Sequence, residues 1–142
     1  IEHYKAKELT INVPRATKEN VFYPLIDYEL KDDIKDSYGK VLYKKGFVFN
    51  PLHYISLNEK YIFIDYTDKK QREWIKKQEI NKDITAKIII TNGRVFDAIK
   101  EFEREVFYAN DILIDKFKLE AVPSIVEQEQ DRIKVKQFKL KD

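Results

Sequence analysis

The stretch EREVFYANDILIDKFKLEAVPSIVEQEQDRIKVKQ, from Glu103 to Gln137, decides the fold. It reads as a short strand over Val106 to Tyr108, a short helix over Asp111 to Lys118, a Val122–Pro123 step and a closing hairpin. Asn110 stands where a helix N-cap belongs, and acidic Asp111 follows it at the positive end of the helix dipole. Ile114 and Phe117 then share a helical face, with Leu113 beside them. Pro123 cannot donate to a ladder, so it begins the strand that carries Ile125 and Val126, lies on an edge, or occupies a turn. The last two strands turn back on each other across Glu129 to Asp131.

Working outward, YIFIDY (Tyr61 to Tyr66) is a near-continuous apolar run bounded by polar residues, as expected of a strand buried on both faces. Thr67 or Asp68 caps the next helix, and Asp68 with Gln71 has capping-box spacing. That helix runs to about Glu79 and has a thin apolar face of Trp74 and Ile75, so it should be largely exposed and anchored by the tryptophan. KIIIT (Lys87 to Thr91) reads as a second buried strand. Asn92-Gly93 turns from it into an amphipathic helix over Arg94 to Arg104, with Val95, Ile99 and Phe102 on its core stripe.

The order from Tyr61 onward is therefore β-α-β-α-β-α-β-β. Strands alternating with helices predict parallel pairing with right-handed crossovers, closed by one antiparallel hairpin. Along the last strand, Lys134 and Lys136 alternate with Ile133 and Val135. These lysines read as guards of an exposed sheet edge, because no aromatic stacking platform for nucleic acid accompanies them.

Helix, Val-Pro step, strand and hairpin together resemble the C-terminal half of the thioredoxin fold. That resemblance, and not the spacing, implies that Pro123 is cis. The expected class is α/β, a thioredoxin-like mixed sheet over residues 61–142. An N-terminal arm or linker (1–20) and a β-hairpin-rich extension (21–60) precede it.

The arm has weak periodicity and should be ordered only if docked. His3 within it has no neighbouring ligand partner. Val21 to Leu30 alternates enough for an extended segment, with Ile26, Tyr28 and Leu30 on one face and Pro24 demoting its first half. Lys31 to Lys40 is turn-rich, with Gly39 in the positive-φ position of a reversal. Asp32, Asp33 and Asp36 read as a charged turn, since no histidine or further acid accompanies them. Val41 to Tyr54 is two short apolar runs about Lys44-Lys45-Gly46, the pattern of a tight hairpin, ended by Asn50-Pro51. Its aromatics, Phe47, Phe49 and Tyr54, are either core or partner contacts.

Composition bounds the function. The 142 residues suit one domain, or one domain with an appended arm, and the 43% hydrophobic content is enough for a core. Net charge is +2 from 27 basic and 25 acidic residues mixed along the chain, which is no footprint for nucleic acid. Cysteine is absent, so thiol chemistry, disulfides and thiolate metal sites are excluded. No apolar run approaches the roughly 18 residues of a membrane span. Ile1 is not methionine, and the expectation is a trimmed or processed fragment with any signal peptide outside it.

Three ordered stretches resemble the TraW family of F-type conjugative transfer systems: GKVLYKKGFVFNPLHY (Gly39 to Tyr54), YIFIDYTDKKQREW (Tyr61 to Trp74) and VFYANDILIDKFKLEAVPSIVEQE (Val106 to Glu129). The chain departs from the family pattern at Tyr23-Pro24-Leu25, where an Asp-Pro step is usual. The resemblance implies a bacterial envelope protein of the periplasm that supports pilus assembly in a type IV secretion system. It implies partnership with TrbC, the pilin-assembly protein of those systems, and with other envelope proteins of the apparatus.

Thioredoxin-like enzymes place a reactive cysteine at a strand-to-helix junction. The junctions here read Tyr66-Thr67-Asp68-Lys69 and Thr91-Asn92-Gly93-Arg94, without a thiol. His53 and the serines Ser37, Ser56 and Ser124 show no nucleophile-elbow context, and there is no Gly-rich phosphate loop. The chain is therefore expected to be non-catalytic and to need no cofactor or metal. Recognition remains: the backbone beside Pro123 (Ala121, Val122, Ser124), with the aromatic hairpin Phe47, Phe49 and Tyr54, would receive an extended partner segment by strand addition. A chaperone-like module that binds peptides generally is the alternative, and a nucleic-acid-binding accessory is a remoter one.

Overall fold

A computed structural model describes residues 9–54 and 56–141. His3 and the first eight positions of the arm lie outside the described residues. Four strands and three helices of the C-terminal part come in the order β7 (Lys60–Asp65), α1 (Lys69–Lys77), β8 (Ala86–Gly93), α2 (Val95–Phe102), β9 (Val106–Tyr108), α3 (Asp111–Lys116), β10 (Ser124–Glu129), closed by β11 (Arg132–Gln137). Ahead of them lie β1 (Leu9–Thr10), β2 (Asn20–Phe22), β3 (Tyr28–Glu29), β4 (Ile34–Lys35), β5 (Val41–Tyr43) and β6 (Val48–Phe49). The class is mixed α/β. One sheet has the order β1-β8-β7-β10-β11-β2, with β9 sharing the outer edge of β8 with β1.

The unbroken apolar runs are explained by burial on both faces. Successive strand side chains point to opposite sides. Ile62, Ile64, Ile88 and Ile90 enter one core layer with Ile75 of α1 and with Ala98 and Phe102 of α2. Phe63 and Ile89 enter the other, with Phe117, Val122, Val126, Ile133 and Val135. Each fully buried side chain of this size contributes roughly 1.5–3 kcal/mol, so these two strands anchor the domain.

β7, β8 and β9 are parallel, as the helix-strand alternation predicts. β10 is antiparallel to β7, against the same rule. A six-residue helix such as α3 spans only about 9 Å, whereas a six-residue strand spans about 20 Å. The chain therefore does not return to the far end of the sheet before β10 starts. The peptide bond between Val122 and Pro123 is cis, and Pro123 stands immediately before β10 with its side chain fully buried.

Several expectations are corrected. Asn92 and Gly93 are not a turn but the last residues of β8, paired with Thr10 and Leu9 of β1. In α1 the buried anchors are Ile75 and Gln71, while Trp74 is half-buried against Phe138 at 5.1 Å. Gln71 does not close a capping box, because its Oε1 accepts from the Asp65 amide at 2.8 Å. In α2 it is Ala98 and Phe102 that face the core, one turn apart, and Ile99 lies at the rim, 39% exposed. β11 is not an edge, since β2 pairs along it from Val135 to Gln137.

The hairpin about Lys44-Lys45-Gly46 does turn, with the Phe47 amide donating to Lys44 O at 3.1 Å. Its two runs do not pair with each other. β5 pairs with β4 and β6 with β3, giving two small two-stranded sheets. Leu30 competes for the turn: its carbonyl accepts from the Gly46 amide and its amide donates to Phe47 O, at 2.8 and 2.9 Å. The hairpin that does close is β4–β5, around Asp36 to Gly39, where Asp36 Oδ1 accepts from both the Tyr38 and Lys40 amides.

Candidate functional site

Two features of the described residues bear on the candidate site. The first is the surface of residues 23–54. Strands β3, β4 and β5 are exposed throughout, and Leu25, Tyr28, Ile34, Tyr38, Leu42, Tyr43, Phe47, Val48 and Tyr54 are all exposed. Two-stranded ribbons are marginal alone, and here aromatic contacts tie them together. Tyr43 meets Phe47 at 5.2 Å, Phe47 stacks on Phe49 at 5.9 Å, and Phe49 meets Tyr54 and Tyr28 edge-on at 5.6 and 5.7 Å. Tyr43, Phe47, Phe49 and Tyr54, with Leu30 and Ile34, line an apolar cup of about 220 Å³. That is below the roughly 300–1,000 Å³ of cofactor and small-molecule sites.

The extension is pinned to the β10–β11 hairpin. Asn50 caps the short 3-10 turn Pro51–His53 by accepting from the Leu52 amide at 2.9 Å, and its Nδ2 donates to Asp131 O at 2.8 Å. His53 Nε2 lies 3.4 Å from Asp131 Oδ2. The Leu57 amide donates to Gln128 Oε1 at 2.6 Å, and Leu52 and Leu57 pack on the core. Phe47, Phe49 and Tyr54 are thus cup-lining groups presented by the domain and not part of its main core. Leu30 and the neighbouring Tyr28 were read from the sequence only as one face of an extended segment, and Ile34 and Tyr43 were not singled out. The only signal for them was the alternation of Tyr28 with Leu30 and the density of aromatics near the Lys-Lys-Gly turn.

The second feature is the shoulder of Pro123. Ala121, Val122 and Ser124 do not offer themselves to a partner: they are 7%, 0% and 0% exposed. Ser124 Oγ donates to Ala121 O at 2.7 Å. The strand-pairing groups of Val122 are already used by the described part of the arm. Its amide donates to Pro14 O at 2.9 Å and its carbonyl accepts from the Ala16 amide at 2.8 Å. Between them Arg15 forms a parallel bridge to Val122 and donates two hydrogen bonds to Asp68, Nε to Oδ2 at 2.8 Å and Nη2 to Oδ1 at 3.0 Å.

Asp68 is the N-cap of α1, accepting from the Lys70 amide at 2.9 Å, and it also accepts from Gln71 Nε2 at 3.0 Å. Burial works to raise its pKa. The hydrogen bonds from Gln71, Arg15 and the Lys70 amide, with the Arg15 charge, outweigh that and hold the carboxyl below its usual range. Beside it, burial and then the Glu101 hydrogen bond at 2.7 Å push the Tyr66 phenol up to about 12. Tyr66 ties the end of β7 to Glu101 of α2, and Lys76 and Arg72 of α1 reach the same carboxylate at 2.5 and 3.7 Å. Among the described residues no group of three or more His, Cys, Asp or Glu side chains is placed to hold a metal ion.

Compared with known proteins, the chain is similar to protein TraW of Escherichia coli strain K12, at 32% identity over 98 residues. The match takes in 68% of this chain and 46% of that protein. The chain belongs to the TraW family. It spans about half the length of this TraW relative. No family model and no solved structure matches. In this TraW-family chain, no helix among the described residues is long and apolar enough to cross a membrane.

Proposed function

We propose that this chain is a non-catalytic, periplasmic assembly or scaffold protein of an F-type conjugative type IV secretion system. In this reading it supports pilus assembly through protein–protein contacts with a TrbC-type protein and other envelope components, without nucleic acid and without a cofactor. Membership of the TraW family supports the setting. The observation that carries the recognition role is the aromatic cup of Leu30, Ile34, Tyr43, Phe47, Phe49 and Tyr54, with Tyr28 edge-on to Phe49. Contiguous exposed apolar surface of this kind marks an interaction site, and aromatic anchors in pockets supply most of the energy at such sites.

We read the scaffold as thioredoxin-like. The sheet order, with β8 and β7 central and β10–β11 antiparallel beside them, and a cis proline ahead of β10 favour that reading. The strand-to-helix junction after β7 carries Thr67 and Asp68 in place of a thiol, which leaves shape as the working part.

The test is co-purification of the tagged chain with the envelope proteins of its own transfer system. The chain with Phe47→Ser and Tyr54→Ser, both at exposed positions, should keep its fold and lose the TrbC-type partner. Equal recovery of the partner by both forms would refute the cup as the interface. Retention of unrelated extended peptides with no such selectivity would favour a chaperone-like module instead.

A further inference from the structure

Residues 9–22 run across the main sheet instead of away from it. Leu9 and Thr10 pair with the end of β8, and the Ile11 amide donates to Thr91 O at 3.1 Å. The chain then reaches Val122 at the head of β10 and lands as β2 on the far side of β11. In sheet order β7 lies between β8 and β10, so the segment passes over the carboxyl end of β7. In open α/β sheets that is where a binding crevice forms. Here the chain covers it with its own backbone.

The receiving groups are organised independently of what they receive. Asp68 is held by the Lys70 amide and by the buried Gln71, so its carboxylate stays in place without Arg15. Val122 belongs to a core cluster with Phe63, Val126 and Val135 of the main sheet. The segment contributes the short pairing of β1 with β8, the Ile11 amide bond to Thr91 O, one bridge and two backbone hydrogen bonds to Val122, the Arg15 clamp, the Lys18 carbonyl accepting from Gln137 Nε2 at 3.1 Å, and the buried side chains of Val13 and Ala16. Thr17, Lys18 and Glu19, where it would hinge, are exposed.

We propose that the Val122 backbone and the Asp68 carboxylate form a peptide-receiving groove that residues 9–18 fill as a displaceable strap. Its external ligand is an extended segment of the strap's own chemistry, apolar–Pro–basic–small as in Val13-Pro14-Arg15-Ala16. This goes beyond the aromatic cup and does not depend on it. An emptied groove would leave the Val122 amide and carbonyl without partners and Asp68 without its guanidinium. Partner groups left unsatisfied favour whichever strand restores them. A fork-shaped guanidinium suits the carboxylate better than an ammonium, which specifies arginine over lysine in the incoming segment.

Hydrogen exchange on the full chain under native conditions tests this. The Ala16 and Val122 amides should exchange through a partial opening, at least 100-fold faster than the amides of Ile62 and Ile88 in the central strands. Arg15→Ala should speed Ala16 and Val122 about two- to fivefold further and leave Ile88 unchanged. A labelled peptide with the sequence of residues 9–18 should bind the Arg15→Ala chain better than the unaltered chain. The same peptide with its arginine replaced by alanine should not. Exchange of Ala16 and Val122 together with Ile88 would overturn the proposal, and the unaltered chain alone decides this should Arg15→Ala fail to fold. Equal binding of the two peptides would overturn the arginine specificity.

Discussion

Asp68 is where cap, clamp and strap meet, and its removal has a cost that can be worked from the contacts. Asp68→Ala deletes the N-cap acceptor of α1, worth about 1 kcal/mol. It leaves Gln71 Nε2, on a side chain only 1% exposed, without its acceptor, at about 1 kcal/mol more. It also breaks a two-bond guanidinium–carboxylate pair whose side chains are 33% and 19% exposed, worth about 0.5–1 kcal/mol after solvent screening. The sum is about 2.5–3 kcal/mol. At a urea slope of about 1.5 kcal/mol per molar, the midpoint falls by somewhat under ~2 M. Arg15→Ala removes the clamp and should cost about 0.5–1 kcal/mol more in the unaltered chain than in the Asp68→Ala background. Urea titration followed by the fluorescence of the single tryptophan, Trp74 on α1, reads all four corners of the cycle. An equal cost of Arg15→Ala in both backgrounds would refute the clamp. An Asp68→Ala cost below about 1 kcal/mol would refute the cap reasoning. Because the Asp68 pKa is lowered from 3.8 on folding, its contribution is present above that value and is lost as pH falls through the folded one.

Two further perturbations probe the same junction. Gly93 has φ +103°, and a Cβ there would lie 3.1 Å from the Tyr66 side chain; Gly93→Ala should cost about 2–3 kcal/mol through backbone strain and displacement of Tyr66, and a loss under about 0.5 kcal/mol in thermal unfolding would contradict this. Tyr66 should ionise near pH 12, raised from 10 by burial and then by Glu101, so its contribution to stability is full below pH 10 and lost as pH rises towards 12. In an ultraviolet titration of the nine tyrosines, Glu101→Gln should shift the last-titrating step downward, and an unmoved step would show that the pair does not form.

The parts of the fold that were legible in the sequence are those whose cause is local. Doubly buried strands leave unbroken apolar runs, so β7 and most of β8 could be read from YIFIDY and KIIIT, and the β10–β11 hairpin from the alternation in SIVEQEQDRIKVKQ. Asn110 was legible as a cap because capping is a short-range hydrogen bond, here to the Leu113 amide at 2.8 Å. What escaped is set by contacts distant in sequence. Arg15 and Asp68 are 53 residues apart, and nothing in either neighbourhood announces their pairing. The runs about Lys44-Lys45-Gly46 looked like partners because they are adjacent, but Leu30 takes the turn's hydrogen bonds and sends each run to a different strand. The cup was half legible: Phe47, Phe49 and Tyr54 were marked, but their exposure depends on where the extension docks through Asn50, Leu52 and Leu57.

The most direct measurement is a hydrogen-exchange footprint of the chain with and without a purified TrbC-type protein of the same transfer system. Protection should appear within residues 28–35 and 41–54, around the aromatic cup, and should leave β9 and α2 unchanged. Protection centred on Val95–Phe102 and Val106–Tyr108 with the cup untouched, or no protection anywhere, would contradict a recognition role for this face.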